Sequence, residues 1–346
     1  MEYGDTKSSF VYHDRHGATV PGGKFMAATH YGHLIKPLGF KGTRGRSKNY
    51  YAANNTGRET AKIARLNGHD HLEGLGLSLA FDYHDGLCTW YGEDKPHTHS
   101  YPEIQFIVGL DTAAINYLGA DVEYCLGNDM KTYKFSEPTV VVVPEGVPHG
   151  PVTTTRMYST RGYACYRISL TATPDKAPAG MTSVKGKTLA RLVKPLKPNI
   201  MIQRKKLVAV MASQPARKGP VMSLGPGNAD HLAWFYGKDL EGLSANMDWG
   251  FFSSPGLWHR GVGAHVHPMD EILVFVGTDP PCPGSLGADI EIDIGKEHER
   301  IHVTEPSVVV MPGGVPHGPF VTHWVDRPFA FFSVNLAGDP NMTFID

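Results

Sequence analysis

At 346 residues the chain is long enough for two domains of ordinary size, each burying its own core. It is 41% hydrophobic and 19% charged, as globular proteins are, and a net charge of −1 excludes a global pull toward nucleic acid or an anionic membrane. Thirty-nine glycines and 26 prolines, spread along the chain, predict short strands and tight turns in place of long helices.

In chain order, the opening MEYGDTKSSFVYHDRHG carries charge where a signal peptide needs an apolar core, and no apolar run reaches membrane-spanning length. Cys88, Cys125, Cys165 and Cys282 form no CxxC pair, so a reduced, cytoplasmic protein is expected. KGTRGRSKNYYAANNTGRE (41–59) reads as an exposed loop. His69 and His71, in HDH, stand alone and are read as a structural loop feature. EIQFIVG (103–109) and EILVFVG (271–277) are β-rich runs ending in glycine. ADVEYCLG (120–127) and ADIEIDIG (288–295) alternate apolar and polar residues like half-buried strands. TVVVVP (139–144) and SVVVMP (307–312) are continuous apolar runs suited to strands buried on both faces. Between Ala172 and Lys218 lie eleven Lys or Arg and one acid, Asp175, a basic connector expected to be a solvated face.

The halves repeat at an offset of 168 residues. LEGL at 72–75 recurs at 240–243, Trp90 falls on Trp258, HTH at 97–99 on HVH at 265–267, and Glu103 on Glu271. LGAD at 118–121 recurs at 286–289, and VVVPEGVPHGP (141–151) returns as VVMPGGVPHGP (309–319), placing His149 on His317. The division expected is an N-terminal half, 1–171, with a barrel core about 71–171, and a C-terminal half, 172–346. The second half holds the connector (about 172–225) and a core about 226–346.

On a strand, residues i and i+2 share a face, so each HxH is a two-toothed comb. Glu103 and Glu271 each lie four residues beyond the second histidine. A straight strand would carry them roughly 13 Å away, but Pro102 and Pro268 predict a turn that swings each carboxylate back. His149 and His317 arrive later, each between proline and glycine at the end of a buried strand. Three imidazoles and a carboxylate suit a first-row divalent ion with positions left open.

These residues resemble the two signature motifs of the cupin superfamily, HxHxxxE followed by a PxGxxH turn, and the resemblance spans both halves, as in a bicupin. It implies an all-β chain of two double-stranded β-helix (cupin/jelly-roll) barrels, each centred on one divalent metal. Iron(II) is the first expectation, with manganese, zinc or nickel as others. The implied ligands are His97, His99, Glu103 and His149 in one barrel and His265, His267, Glu271 and His317 in the other. The match departs from the family pattern in places. Gly92 precedes His97 by five residues and Gly261 precedes His265 by four, where the motif's glycine stands six ahead. Oxalate-decarboxylase-like members carry an arginine just before the first histidine and an aromatic residue after the glutamate. Here Lys95 stands before His97, Arg260 lies too far upstream, and isoleucine follows both glutamates, so oxalate is not the expected substrate.

Strand parity puts Gln105 and Ile107 on the same face as Glu103, and Leu273 and Phe275 with Glu271, making the first pocket the more polar one. Arg167 aligns with Asn335 and Tyr163 with Phe331 at the common offset, their orientation open. The first expectation is an enzyme acting on a small organic molecule by O2-dependent dioxygenation, with Glu103 as ligand or general base and Gln105 fixing substrate. Non-redox isomerisation or decarboxylation is the alternative, and a non-catalytic metal or metabolite binder the third. A small-molecule partner, no nucleic acid, no membrane, and a monomer or homo-oligomer complete the expectation.

Overall fold

The computed structural model describes residues 29–43, 61–90, 95–175, 177–178, 189–196, 201–203, 228–258, 264–339 and 341–345. Gly92, Arg260, Gly261, most of the 41–59 loop and most of the basic connector lie outside the described residues. The chain is all-β, built as two barrels, each a seven-stranded sheet facing a six-stranded one. Every pairing among the described strands is antiparallel, as hairpin connections and the scarcity of helix dictate.

In the N-terminal barrel the large sheet runs Val193–Pro195, Thr139–Val143, Glu103–Gly109, Tyr163–Ser169, Ser78–His84, Ala61–Leu66, Lys41–Thr43. The valine run Thr139–Val143 is buried at every position because it pairs on both edges and is covered on both faces. Gly109 and Gly277 end their strands for a steric reason: an added Cβ would meet the carbonyl oxygen of Tyr117 at 1.8 Å, or of Ser285 at 2.2 Å. The smaller sheet places Ala177–Pro178, His97–Thr98, His149–Met157, Ala120–Leu126 and Lys131–Phe135 side by side, with Cys88–Thr89 also on the His149 strand.

The C-terminal barrel repeats this plan, but the sequence-based division at residue 171 is crossed three times: Ala177–Pro178 pairs with His97–Thr98 of the N-terminal barrel, and two further segments are exchanged. Ile35–Pro37 pairs with Ser307–Met311 of the C-terminal barrel, while Val193–Pro195 pairs with Thr139–Val143 of the N-terminal one. The exchanged segments read Leu34-Ile-Lys-Pro-Leu38 and Leu192-Val-Lys-Pro-Leu196, a second repeat at an offset of 158. Each anchors in the same way, Leu38 N–H donating to Pro306 O and Leu196 N–H to Pro138 O, both at 2.8 Å. The LEGL motif explains itself here. Its glutamates, Glu73 and Glu241, adopt left-handed backbone and receive Lys36 and Lys194 from the exchanged strands.

Alternate residues of the large sheets point away from the barrel interiors and pack the barrels together. Phe106 lies against Phe235 (5.1 Å), Trp249 (5.5 Å) and Phe332 (5.4 Å), and Tyr166 stacks on Phe332 at 4.5 Å. Tyr83 Oη donates across this interface to Gly277 O at 2.6 Å. The apolar core is therefore continuous through both barrels. HDH forms one exposed helical turn, Gly68–His71, capped by the Asn67 side chain, which accepts from Asp70 N–H. No helix among the described residues is long and apolar enough to cross a membrane.

Candidate metal centres

The twice-written phrase is a device for presenting one histidine. Val147 N–H donates to Pro144 O at 3.2 Å and Val315 N–H to Pro312 O at 3.0 Å, closing a turn whose third residue must be left-handed. Gly146 (φ 71) and Gly314 (φ 85) supply that conformation at no steric cost. Their own N–H groups reach the HxH segment, Gly146 to His99 O at 2.9 Å and Gly314 to His267 O at 2.8 Å. The turn then orients the ring it delivers: His149 Nδ1 donates to Val147 O at 3.0 Å, His317 Nδ1 to Val315 O at 3.2 Å. His149 sits directly across from His97, and His317 across from His265.

In the N-terminal barrel, His99, Glu103 and His149 bring their ligand atoms within 4.8 Å of one another, all buried. As the prolines predict, the chain turns after each HxH, and a new strand starts at Glu103 and at Glu271. His99 Nδ1 donates to Tyr101 O at 2.5 Å, so the Nε2 atoms of His99 and His149 point inward with no hydrogen-bond partner. His97 is outside the trio. It is partly exposed, its ring 4.2 Å from that of His149 and resting against Gly150. Glu103 takes hydrogen bonds from Gln105 Nε2 (2.7 Å) and Ser169 Oγ (3.0 Å). Burial alone would raise its pKa, but Arg167, His149 and His99 outweigh burial and hold the carboxylate below its usual range. Burial drives His149 down to about 4, against the pull of Glu103.

In the C-terminal barrel the trio is His265, His267 and His317, and Glu271 Oε2 lies 3.5 Å from His267 Nε2 and 3.2 Å from His317 Nε2. His267 Nδ1 donates to Asn341 O at 3.0 Å, and Asn335 Nδ2 donates to Glu271 Oε1 at 2.8 Å. His317 Nε2 and Glu271 Oε2 have no hydrogen-bond partner. The donor sets suit a divalent cation: rings locked through Nδ1, His99 and His149 in one barrel and His267 and His317 in the other, turn Nε2 inward beside a carboxylate oxygen.

The walls differ between the barrels. A small cavity above the N-terminal trio, about 20 Å³, is lined by Trp90, Lys95, His97, Gln105, His149 and Arg167 among others. Arg167 therefore points inward, its Nη2 3.2 Å from Oδ2 of the fully buried Asp82. The common offset misaligned it. The turn 158–162 is two residues longer than its counterpart 326–328, so past it the offset becomes 166. Arg167 corresponds to Ser333 rather than Asn335, and Tyr163 to Phe329 rather than Phe331. The same shift pairs Ser169 with Asn335, each of which hydrogen-bonds its barrel's glutamate, a role the sequence reading assigned to neither. Trp90 Nε1 donates to Thr154 Oγ1 at 3.2 Å and Trp258 Nε1 to Thr322 Oγ1 at 2.7 Å. Beside that shared pair the first barrel places His84 and Tyr163, the second Phe252 and Phe329.

No protein-family model matches the sequence, and no curated protein does. Among solved structures, the chain resembles a serine-to-alanine variant of Bacillus subtilis oxalate decarboxylase, at 10% identity and TM-score 0.51. It also resembles a two-residue deletion variant of the same enzyme, at 10% identity and TM-score 0.50. Each alignment covers 90% of this chain and 80% of the other. At this identity the likeness is one of fold, the bicupin arrangement of two barrels.

Proposed function

We propose that the chain is a metal-dependent enzyme whose N-terminal barrel cleaves a small carboxylic acid, with decarboxylation as the reaction. The observation that carries this reading is Arg167, a cation lining the space beside Gln105, His97 and His149. A guanidinium there matches a carboxylate in both charge and fork geometry. The resemblance to oxalate decarboxylase supports it.

His97, His99, Glu103 and His149 would hold the ion of the first barrel, and His265, His267, Glu271 and His317 that of the second. When bound, such an ion supplies Lewis acidity toward a substrate oxygen. The protein's own groups do the remainder. Arg167, braced by Asp82, and Lys95 fix the substrate carboxylate. Gln105 holds Glu103 through its amide, and its own Oε1, buried without a partner, is left to accept from a substrate hydroxyl or acid group. Loss of carbon dioxide leaves an electron pair on carbon that must gain a proton; that proton would come from water, first taken up by the Glu103 carboxylate, whose Oε2 accepts from Ser169, and then passed to carbon. In the second barrel Leu273 stands at the position of Gln105 and Ser333 at that of Arg167, beside the buried Phe275, Phe329 and Phe331, and this barrel serves structure or binding.

The test is to supply short mono-, di- and hydroxycarboxylic acids to the metal-loaded protein and follow carbon dioxide and oxygen together. Carbon dioxide release without stoichiometric oxygen uptake supports decarboxylation. One oxygen consumed per turnover returns the reading to the dioxygenase expected from the sequence, and no turnover of any acid overturns the proposal.

A further inference from the structure

A third cluster of ligand atoms lies outside both barrel centres, on the smaller sheet of the C-terminal barrel. Glu291, His302 and His323 bring one ligand atom each within 4.8 Å of one another. They come from three adjacent strands, Ala288–Ile294, Glu299–Val303 and His317–Val325. Glu291 and His302 are direct cross-strand partners, while His323 occupies an irregularity between the Asp289 and Ile290 pairings. Such a bulge re-aims one side chain, here toward Glu291.

Geometry and hydrogen bonding organise the cluster as a site. Glu291 Oε2 lies 2.7 Å from His323 Nε2 and 3.8 Å from His302 Nε2. Two ligands at about 2.1 Å from a tetrahedral ion stand about 3.4 Å apart, between those two values, so small side-chain shifts admit one. His302 Nδ1 donates to Asp289 Oδ1 at 2.8 Å, which turns its Nε2 lone pair toward the cluster. A carboxylate behind the ring is the outer support that metal-binding histidines ordinarily have. Arg300 engages the other oxygen, Glu291 Oε1, at 2.8 Å, while Oε2 accepts from His323 Nε2 at 2.7 Å, the one contact a bound ion would replace. The N-terminal barrel offers a contrast at the same place: Glu123 meets Lys134 at 2.7 Å, and Thr155 stands where His323 does.

We propose that Glu291, His302 and His323 form a separate, solvent-accessible site for a borderline divalent cation of the zinc, nickel or copper class, its open positions filled by water. Two imidazoles select these ions over magnesium and calcium, which prefer all-oxygen sets.

The test counts zinc on the full-length protein by competition with a chromophoric chelator, comparing wild type with H302A/H323A, E291Q and the exposed-histidine control H298A. The expected result is one zinc fewer per chain in H302A/H323A, affinity for that ion at least tenfold weaker in E291Q, and no change in H298A. A difference of one holds however many ions the barrels retain, so it stands apart from the proposed catalysis. Equal zinc counts in wild type and H302A/H323A would overturn the site, as would equal loss in H298A or displacement of the ion by millimolar calcium.

Discussion

Arg167 and Asp82 share a buried pair inside the first barrel, so replacing the arginine alone mixes two effects. R167Q strands a buried carboxylate, which costs roughly 3–5 kcal/mol of stability by the rule for broken buried pairs. The double variant D82N/R167Q removes both charges. It is expected to melt near wild type while kcat/KM toward the acid substrate falls about 10–100-fold, the loss of a charged hydrogen bond. Wild-type activity in the double variant would remove Arg167 from substrate binding. Gln105→Leu is expected to lower activity more than Leu273→Ala, because only the first pocket needs an amide; the reverse order would move catalysis to the second barrel. His84 makes a pH prediction. Burial first, and then Arg167, lower its pKa to about 3. A histidine depressed below its unfolded value of about 6.5 contributes stability that is complete above pH 6.5 and drains away as pH falls toward 3. His84→Phe, which copies Phe252, should therefore flatten melting temperature against pH between 6.5 and 4; an unchanged slope would show that other groups control acid unfolding.

The exchanged strands set the next scale. Leu34 and Leu192 are buried equivalents at the heads of Ile35–Pro37 and Val193–Pro195. Leu34→Ala and Leu192→Ala should each cost about 2–5 kcal/mol, the usual range for a buried leucine. The crossed pairing adds a directional prediction: hydrogen exchange should rise in Ser307–Met311 for Leu34→Ala and in Thr139–Val143 for Leu192→Ala. Exchange confined to the mutated half would contradict the exchange of strands. This feature was present in the sequence as LIKPL and LVKPL, but its offset of 158 breaks the 168 register of the rest. The strand that delivers Glu103 was readable because Pro102 and the period-2 pattern act locally. The alignment of Arg167 was not, because two residues of turn length shift everything after them while leaving the local pattern intact.

For the molecule as a whole, the paired phrase, the HxH combs and the glutamates were legible because each is positioned by hydrogen bonds within a few residues or by one strand pairing; the structure gathers His99, Glu103 and His149 in the first barrel, with His97 outside them, and His265, His267 and His317 beside Glu271 in the second. What binds the halves to each other was not readable. Phe106, Tyr166, Trp249 and Phe332 look like ordinary strand residues until the outer sheet faces are brought together. Because that core is continuous, Phe106→Ala is expected to lower stability by about 3–5 kcal/mol while both barrels still unfold in one calorimetric transition. Two resolved transitions in the wild type would mean that the barrels are independent.

The account rests on each barrel gathering its quartet around a cation, and anomalous diffraction from crystals of the purified protein tests this most directly. It predicts one peak in each barrel, about 2.0–2.2 Å from the inward Nε2 atoms, between His99 and His149 in the first and His267 and His317 in the second. Crystals from metal-supplemented protein with neither peak, and with those nitrogens bonded to protein groups or water alone, would contradict it.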